Sequence, residues 1–362
     1  MTTEFQFPLL LEVSDEAVGM RGFLAIESLQ DGLAFGGLRI HPHVTGVEVQ
    51  GLARSMHLKL GAHGHPVGGA KGGLCCDPGD PALHEHLRAY AHALRSWLEN
   101  HVILGKDMGA TNAALDAMYS SLGIPQLSIV MAKHPGGTCP ERIRDLNGYR
   151  RHMTGLGVVG AARAALGDLR GARVVIQGAG VVGVGTAVRL REEGAVVVGM
   201  SDVHKALIDP MGLDAAVLAS EGTRDRCLVP AAFPNAVERE RDTLFSVSAD
   251  LLILAASSWS VSADHAEQII APLVVEGCNM GLVDAARDRL HARGVRVVDD
   301  ILASSSSAAM VCHQIATGNG LGERELWERI TSAITTHVQD AVTASVATGG
   351  TLRSAYLSQI AA

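Results

Sequence analysis

A lysine with glycines on both sides is the first candidate for a catalytic residue. The segment Gly68-Gly-Ala-Lys71-Gly-Gly allows the backbone to bend sharply and to bring the Lys71 ammonium group against a small substrate. We expect burial and a second cation, Lys59, to lower the pKa of Lys71, so that it exchanges protons near neutral pH. Lys59 would meanwhile hold a carboxylate. Asp107 would supply a complementary acid or proton relay, although by itself it is more typical of a helix cap.

The second constellation is a GxGxxG pattern that follows a β-branched run beginning at Arg173. Gly178 permits a tight turn, Gly180 lets the backbone approach a pyrophosphate, and Gly183 lets the next helix pack closely on the strand. The amino terminus of that helix then offers free N–H groups to the phosphates. The pattern predicts a dinucleotide site, and the alternative is a glycine turn that binds no dinucleotide.

Asp202 ends the following strand, about 20 residues after Gly183, where a carboxylate can accept hydrogen bonds from an adenosine ribose. This favours NAD as the cofactor. His204 and Lys205 come directly after it, and because a cation there could accommodate a 2′-phosphate, NADP stays open.

Composition excludes several other classes of protein. A chain of 362 residues and 37.9 kDa predicts two domains. The net charge of -8 argues against binding to nucleic acid or to an anionic membrane surface. The longest apolar runs, near Ala195–Met200 and Leu251–Ala256, are strand-sized, so we expect no membrane span.

The cysteines and histidines indicate neither a disulfide framework nor a metal site. The 6 cysteines include no CxxC pair, and the amino terminus lacks the pattern of a secretory signal, which together favour the cytoplasm. Pairs of histidines occur at His41/His43, His63/His65 and His84/His86, but no third ligand with suitable spacing accompanies them. We therefore expect no metal.

The surrounding elements predict an α/β fold. Thr45-Gly-Val-Glu48 has the spacing of a capping box, and the apolar residues after it recur at helical spacing, so the helix ends near Lys59. The segment Gly171–Ser201 has a strand, a glycine turn, a helix and a second strand in succession. Three further strand-sized runs alternate with helix-like segments, which favours a doubly wound parallel sheet. These runs are Leu251–Leu254, Leu273–Val275 and Val295–Val298.

Several motifs follow one another in an order that is typical of one enzyme family. They are Gly36-Gly37-Leu-Arg39 with His41-Pro42, Met56-His-Leu-Lys59, Gly68-Gly-Ala-Lys71-Gly-Gly with Asp77-Pro78, Lys106-Asp107-Met-Gly109, Thr154-Gly-Leu-Gly157, Gly178–Gly183, Val274-Val-Glu-Gly277-Cys-Asn279 and Val298-Asp-Asp300-Ile-Leu-Ala303. Over most of its length the chain resembles the glutamate, leucine, phenylalanine and valine dehydrogenase family. In length and pocket pattern it is most similar to the leucine and phenylalanine branch.

This resemblance implies a domain plan. Residues 1–140 would form an α/β substrate-binding and oligomerisation domain, and residues 141–325 a Rossmann-type NAD-binding domain, with the boundary in the polar stretch Lys133–Arg151. Residues 326–362 would form helices that pack back on the first domain. The resemblance also implies a homo-oligomer.

The resemblance further implies reversible oxidative deamination: an amino acid, NAD and water give a 2-oxo acid, ammonia and NADH. Lys59 would bind the substrate α-carboxylate, and Lys71 would polarise the carbonyl and activate water. Asp107 would move protons to and from the amino nitrogen, while Thr154 and Asn279 would contact the nicotinamide end of the cofactor. Catalysis would occur in the cleft as the two domains close and exclude water.

One departure concerns the segment Ser304–Ser307, where the family usually has Asn-Ala-Gly-Gly. Ser304 would take the place of the asparagine, and because a serine is shorter and lacks the paired donor and acceptor of an amide, the placement of substrate or nicotinamide must differ. The alternative function is therefore a divergent member that binds a nucleotide, or an unusual amine or imine substrate, without efficient deamination.

Two other departures concern the substrate pocket. Phe35 stands before Gly37 and its neighbouring glycine, where glutamate-specific members have a lysine, and Val311 stands where they have a serine. Because neither would hold a side-chain carboxylate, we expect an apolar or aromatic amino acid as substrate.

Overall fold

The computed structural model describes residues 7–65, 67–124, 153–317 and 323–360. The chain divides into two compact units, Met1–Asp145 with Ala308–Gly322, and Leu146–Ser307 with Glu323–Ala362. The polar stretch Lys133–Arg151, in which we expected the domain boundary, lies outside the described residues, as does the expected boundary at 140.

The first unit is built on a 5-stranded sheet with the order β1-β2-β4-β3-β5. Strand β2 pairs antiparallel with β1 and β4, whereas β3 pairs parallel with β4 and β5. The strands are β1 (Leu9–Asp15), β2 (Met20–Ile26), β3 (Ala34–Ile40), β4 (Gly68–Leu74) and β5 (Val102–Lys106). The helices are α1 (Gly46–Gly61), α2 (Leu83–Ala93), α3 (Arg95–Asn100) and α4 (Asn112–Ser121).

Helix α1 begins where the sequence predicted. The Thr45 hydroxyl accepts a hydrogen bond from the Glu48 N–H and caps the helix. Val49, Leu52 and Leu60 are fully or almost fully buried on one side of the helix, which packs against β4. The apolar spacing therefore fixes which side of α1 meets the sheet.

The second unit is built on a 7-stranded sheet with the order β11-β8-β7-β6-β12-β13-β14. The predicted parallel sheet is confirmed for β7, β6, β12, β13 and β14, and β8 and β11 add an antiparallel edge. These strands are β6 (Arg173–Gln177), β7 (Val196–Ser201), β8 (Lys205–Ile208), β11 (Val237–Glu240), β12 (Leu251–Leu254), β13 (Leu273–Glu276) and β14 (Arg296–Val298). A separate two-stranded ribbon comprises β9 (Thr223–Arg224) and β10 (Cys227–Leu228).

Helices alternate with the parallel strands of the second unit, as the sequence predicted, and further helices precede β6 or follow β14. The helices from Met153 to the end of the described chain are α5 (Met153–Leu166), α6 (Val181–Glu192), α7 (Ala215–Ser220), α8 (Ala263–Gln268), α9 (Asp284–Ala292), α10 (Asp300–Ala303), α11 (Ser306–Thr317), α12 (Glu323–Thr348) and α13 (Leu352–Ile360). Short 3₁₀ turns lie at Pro230–Ala232 and Arg241–Ser246. The two units together give the two-domain α/β fold that the sequence indicates.

The last helices differ from the sequence expectation. We expected residues 326–362 to pack on the first domain, but α12 and α13 belong to the second unit. Helix α12 packs along α5, and Arg353 of α13 forms an ion pair with Asp299 beside β14. The part of α11 from Ala308 onward groups instead with the first unit.

Among the described helices, none combines the length and the apolar character that crossing a bilayer demands.

Gly36 provides a test of the sheet in the first unit, because a Cβ there would lie 1.7 Å from the carbonyl oxygen of Ala70. We expect Gly36→Ala to lower the free energy of unfolding by roughly 3 kcal/mol or more, since backbone atoms must separate. Gly61→Ala is the matched control, because Gly61 lies in a helix and a Cβ there would have no neighbouring atom within 4 Å. That change should be neutral or stabilising. Chemical denaturation measures both, and equal stability of the two variants would contradict the packing of β3 on β4.

Candidate active site

A buried ion pair lies at the centre of the first unit. Lys71 lies on β4 and is only 2% exposed. Asp107 follows β5 directly, and its carboxylate oxygen Oδ2 lies 3.0 Å from the Lys71 Nζ. Side-chain exposure is 3% for the lysine and 14% for the aspartate. The structure therefore brings together two of the residues that the sequence singled out.

Arg39 is a third charged partner, and the sequence reasoning gave it no role. Its Nε donates to the Asp107 Oδ2 at 2.9 Å, while its Nη1 donates to Glu48 near the start of α1. The register of the sheet explains this contact, because Leu38 pairs with Lys106 and so Arg39 lies beside Asp107. Asp107 is not the cap of the next helix, since the Thr111 hydroxyl caps α4.

Gly37 keeps this cluster close together. A Cβ at Gly37 would lie 2.8 Å from the Asp107 Cβ and 3.2 Å from the Lys71 Nζ. Any side chain there would displace the aspartate or the lysine. The absence of a side chain at Gly37 therefore leaves space for these two charged groups.

The environment shifts both pKa values. Burial, together with the weaker effects of the positive charges of Arg39 and Lys59, lowers the pKa of Lys71 to about 8 against the opposing effect of Asp107. The expected effect of burial and of Lys59 is thus confirmed. Burial raises the pKa of Asp107, but the charges of Lys71 and Arg39 outweigh burial and hold it at about 2. At neutral pH the aspartate is ionised, and the lysine can exchange a proton.

Lys59 lies near the end of α1 and is 2% exposed. Its positive charge contributes to the lowered pKa of Lys71, less than burial and Arg39 do.

Phe35 and Val311 meet in an apolar cluster, also in the first unit. Phe35 is 8% exposed and packs with Leu33, Leu60, Val67, Ile103 and Cys312. Met56, Ala308 and Val311 are partly buried against this cluster. Two positions far apart in sequence, both expected in the substrate pocket, thus share one apolar environment.

The glycine turn of the second unit fits a dinucleotide pyrophosphate. Gly178 has a φ of 105°, and a Cβ there would meet the carbonyl oxygen of Ala255 at 2.5 Å. A Cβ at Gly183 would lie 1.9 Å from the Gly178 carbonyl oxygen, so α6 can pack on the strand only with glycine there. At Gly180, nothing lies within 4 Å of the corresponding position, which leaves open space at the amino terminus of α6.

Asp202 has a different set of partners from the one that the sequence suggested. It directly follows β7, but the residue is only 5% exposed. Its Oδ1 accepts from the N–H groups of His204 and Lys205, and its Oδ2 accepts from the N–H of Leu228. Because these three bonds occupy most of the acceptor capacity of a carboxylate, the structure makes Asp202 an organiser of its own turn.

The hydroxyl groups of the serine segment form hydrogen bonds within the second unit. The Ser304 hydroxyl donates to the Asp300 carbonyl oxygen at 3.0 Å, so towards a ligand it can only accept. The hydroxyls of Ser307 and Thr154 form a 2.8 Å hydrogen bond, and Ser306 donates to the Met153 carbonyl oxygen. Thr154 thus lies beside the serines that replace the family's glycines, while Asn279 follows β13 at the carboxyl end of the sheet.

A second buried charge cluster was not predicted. Glu276, Asp299 and Asp300 bring their carboxylates within 4.8 Å of one another. Arg287 forms ion pairs with Glu276 and Asp299, at 2.9 Å and 3.0 Å. Burial raises the pKa of Glu276 and of Asp299. The arginine shows that this cluster is an internal ion network of the second unit.

Comparison with known proteins gives a consistent set of relatives. The family model "Glutamate/Leucine/Phenylalanine/Valine dehydrogenase" matches residues 148–356, and "Glu/Leu/Phe/Val dehydrogenase, dimerisation domain" matches residues 2–122. The NAD-specific glutamate dehydrogenase of Staphylococcus aureus is 33% identical over 296 residues, which is 80% of this chain and 70% of that protein. The NADP(+)-dependent glutamate dehydrogenase of Pyrobaculum calidifontis is 30% identical over 287 residues, 76% of this chain and 67% of that one.

Solved structures with a similar fold are also glutamate dehydrogenases. The Leu-bound form of the hetero-hexameric glutamate dehydrogenase from Thermus thermophilus has a TM-score of 0.77 at 30% identity. The alignment covers 97% of this chain and 86% of that one. A glutamate dehydrogenase of Plasmodium falciparum, at 18% identity, shares the fold with a TM-score of 0.76 and coverage of 98% and 81%.

The buried ion pair predicts the titration of Lys71. With isotope-labelled lysine, NMR should show one ammonium group titrating at about 8. Asp107→Asn should lower that pKa, because it removes the negative charge that favours the protonated form. Lys71→Arg, which removes the resonance, provides the assignment. A Lys71 pKa near 10.5, or one that rises in Asp107→Asn, would contradict the geometry.

Proposed function

We propose, from the premise that the chain belongs to the Glu/Leu/Phe/Val dehydrogenase family, that it interconverts an apolar or aromatic L-amino acid and its 2-oxo acid. As a member of this family it is an oxidoreductase that acts on the CH–NH2 group of its donor with NAD or NADP. In the proposed direction, an amino acid, NAD and water yield the 2-oxo acid, ammonia and NADH.

Three residues of the first unit would each have a separate role in the reaction. The Lys59 ammonium group would bind the substrate α-carboxylate. Lys71, with a pKa of about 8, would take a proton from the water that attacks the imine carbon and would later polarise the product carbonyl. Asp107 would exchange protons with the substrate nitrogen. Since Lys71 and Arg39 both contact its Oδ2, this exchange would use Oδ1.

NAD would supply the hydride acceptor, bound by the second unit. Gly178, Gly180 and Gly183 would hold its pyrophosphate at the amino terminus of α6. Thr154 and Asn279 would contact the nicotinamide end, and Ser304 would accept one hydrogen bond from the substrate or the nicotinamide. Because the Ser307 hydroxyl is hydrogen-bonded to the Thr154 hydroxyl, it would either orient that hydroxyl towards the nicotinamide or compete with the nicotinamide for it.

The observation that carries the substrate class is the apolar cluster around Phe35 and Val311. A substrate side chain accommodated there would meet aliphatic, aromatic and sulfur atoms. A side-chain carboxylate in the same place would lose its hydration without gaining a cation from the cluster, which costs several kcal/mol or forces the group to be protonated. An apolar or aromatic side chain gains free energy in that environment instead.

Glutamate is the second candidate, because the named relatives at 30–33% identity are glutamate dehydrogenases. Overall identity of this size reflects the shared chemistry of the α-carbon, whereas substrate choice depends on the few residues that meet the side chain. The local composition around Phe35 therefore outweighs the relatives' names in the proposal.

We also propose that the first unit is the substrate-binding and oligomerisation domain of a homo-oligomer, and the second unit the dinucleotide-binding domain. The match of residues 2–122 to a dimerisation domain supports this assignment, and the hetero-hexameric relative supports an oligomer. We propose the reducing cytoplasm as its location, on the sequence evidence that its 6 cysteines include no CxxC pair.

The test of the substrate class is steady-state deamination of leucine, valine, phenylalanine, tryptophan and glutamate with NAD. We expect kcat/KM for the best apolar substrate to exceed that for glutamate by about a hundredfold, since an unpaired buried carboxylate costs a few kcal/mol. Phe35→Lys should shift the ratio towards glutamate, while Phe35→Leu, the matched control, should preserve it. Lys71→Ala gives the background rate. A clear preference of the unaltered protein for glutamate would refute the proposed class.

A further inference from the structure

Trp259 combines an exposed ring with an unfavourable backbone. Its φ is 54°, in the left-handed region that bulky L-residues rarely adopt, and the residue is 41% exposed. An exposed tryptophan gains little from burial, so burial does not explain why the strain is tolerated. Strain of this kind is typical of residues that are held in place for binding or catalysis.

The neighbouring loop holds Trp259 in this conformation. Its N–H donates to the Met280 carbonyl oxygen at 2.7 Å, and Met280 also has a positive φ, of 49°. Two residues further on, the Val261 N–H donates to the Gly281 carbonyl oxygen at 3.1 Å, and Val261 forms a parallel bridge with Leu282. The loop after β12 is thereby fixed against the loop after β13.

The same segment is tied to the glycine turn. The Ser260 hydroxyl donates to the Gln177 Oε1 at 3.2 Å, and Gln177 is the last residue of β6. The close approach of Gly178 to the Ala255 carbonyl oxygen brings the beginning of the Trp259 loop against that turn. Trp259 therefore lies at the carboxyl edge of three adjacent parallel strands, β6, β12 and β13.

We propose that the Trp259 ring contacts the nicotinamide riboside half of the bound dinucleotide. A dinucleotide extends across the carboxyl edge of such a sheet from its pyrophosphate at the helix amino terminus. With the adenosine half towards β7, on one side of β6, the other half would extend over β12 and β13. That is the side on which Trp259 and Asn279 lie, and an exposed aromatic ring there offers a flat apolar surface to a ribose or a nicotinamide ring.

Fluorescence separates this contact from the other tryptophans. The chain has 3, Trp97, Trp259 and Trp327, and Trp97 lies in α3 of the first unit. Oxidised NAD has no absorption that overlaps tryptophan emission, so quenching by NAD reports contact rather than energy transfer. We expect NAD to quench the emission of Trp97→Phe, the matched control, and the quenching to be lost in Trp259→Phe. Persistent quenching in Trp259→Phe would overturn the proposal.

Binding measured by calorimetry provides the second test, with ADP as the ligand that lacks the nicotinamide riboside. Trp259→Ala should weaken NAD binding by about threefold to tenfold, the usual effect of one aromatic contact, and should leave ADP binding unchanged. Equal affinity for NAD in Trp259→Ala and the unaltered protein, or a matching loss for ADP, would contradict the proposed contact.

The backbone strain gives a third readout. Trp259→Asn should raise the midpoint of thermal unfolding by about 2 °C, because asparagine tolerates the left-handed region, and should still weaken NAD binding. A variant that gains stability and retains full NAD affinity would show that the strain serves no cofactor contact. These measurements use NAD and ADP alone, so they stand even if the proposed substrate class is wrong.

Discussion

The first unit depends on one constraint, which is that two buried cations contact the same carboxylate oxygen. Oδ2 of Asp107 contacts both the Lys71 ammonium and the Arg39 guanidinium, in a region from which water is largely excluded. Such clusters contribute little net stability, because desolvation offsets the attraction between the charges, whereas removing one member leaves a charge buried without compensation. Gly37 of β3 is needed for the same reason, since a Cβ there would push these groups apart. The fold therefore keeps a proton-exchanging lysine buried, and this requires that no side chain be present at Gly37.

The second unit is organised differently. It offers backbone N–H groups and fixed loops, rather than charged side chains, to a dinucleotide pyrophosphate. Gly178 and Gly183 permit the turn and the close packing of α6, and Gly180 leaves open space beside the helix amino terminus. The loops after β12 and β13 are locked together through Trp259 and Met280, so that this edge is rigid before any ligand binds. The residues proposed for cofactor binding and those proposed for proton exchange thus belong to separate units.

The sequence predicted what depends on short-range pattern. The cap at Thr45, the glycine turn and the central parallel strands follow from spacing and residue type, and all are present. What it missed depends on contacts between distant segments. Arg39 reaches Asp107 only because β3 pairs with β5, and the Asp202 carboxylate turns inward because Leu228 presents an N–H to it. The final helices were assigned to the wrong unit, since the apolar spacing of α12 shows that one side is buried but not which partner covers it.

The most direct test of the ion cluster as the catalytic centre is the turnover of Asp107→Asn, which keeps the shape of the side chain and removes its charge. With NADH, ammonia and the preferred 2-oxo acid, kcat should fall by about a hundredfold or more, the usual contribution of a positioned acid or base. NADH affinity should stay unchanged, because no residue of the second unit is altered. A variant that binds NADH normally and turns over within a few fold of the unaltered protein would contradict the central role of this cluster.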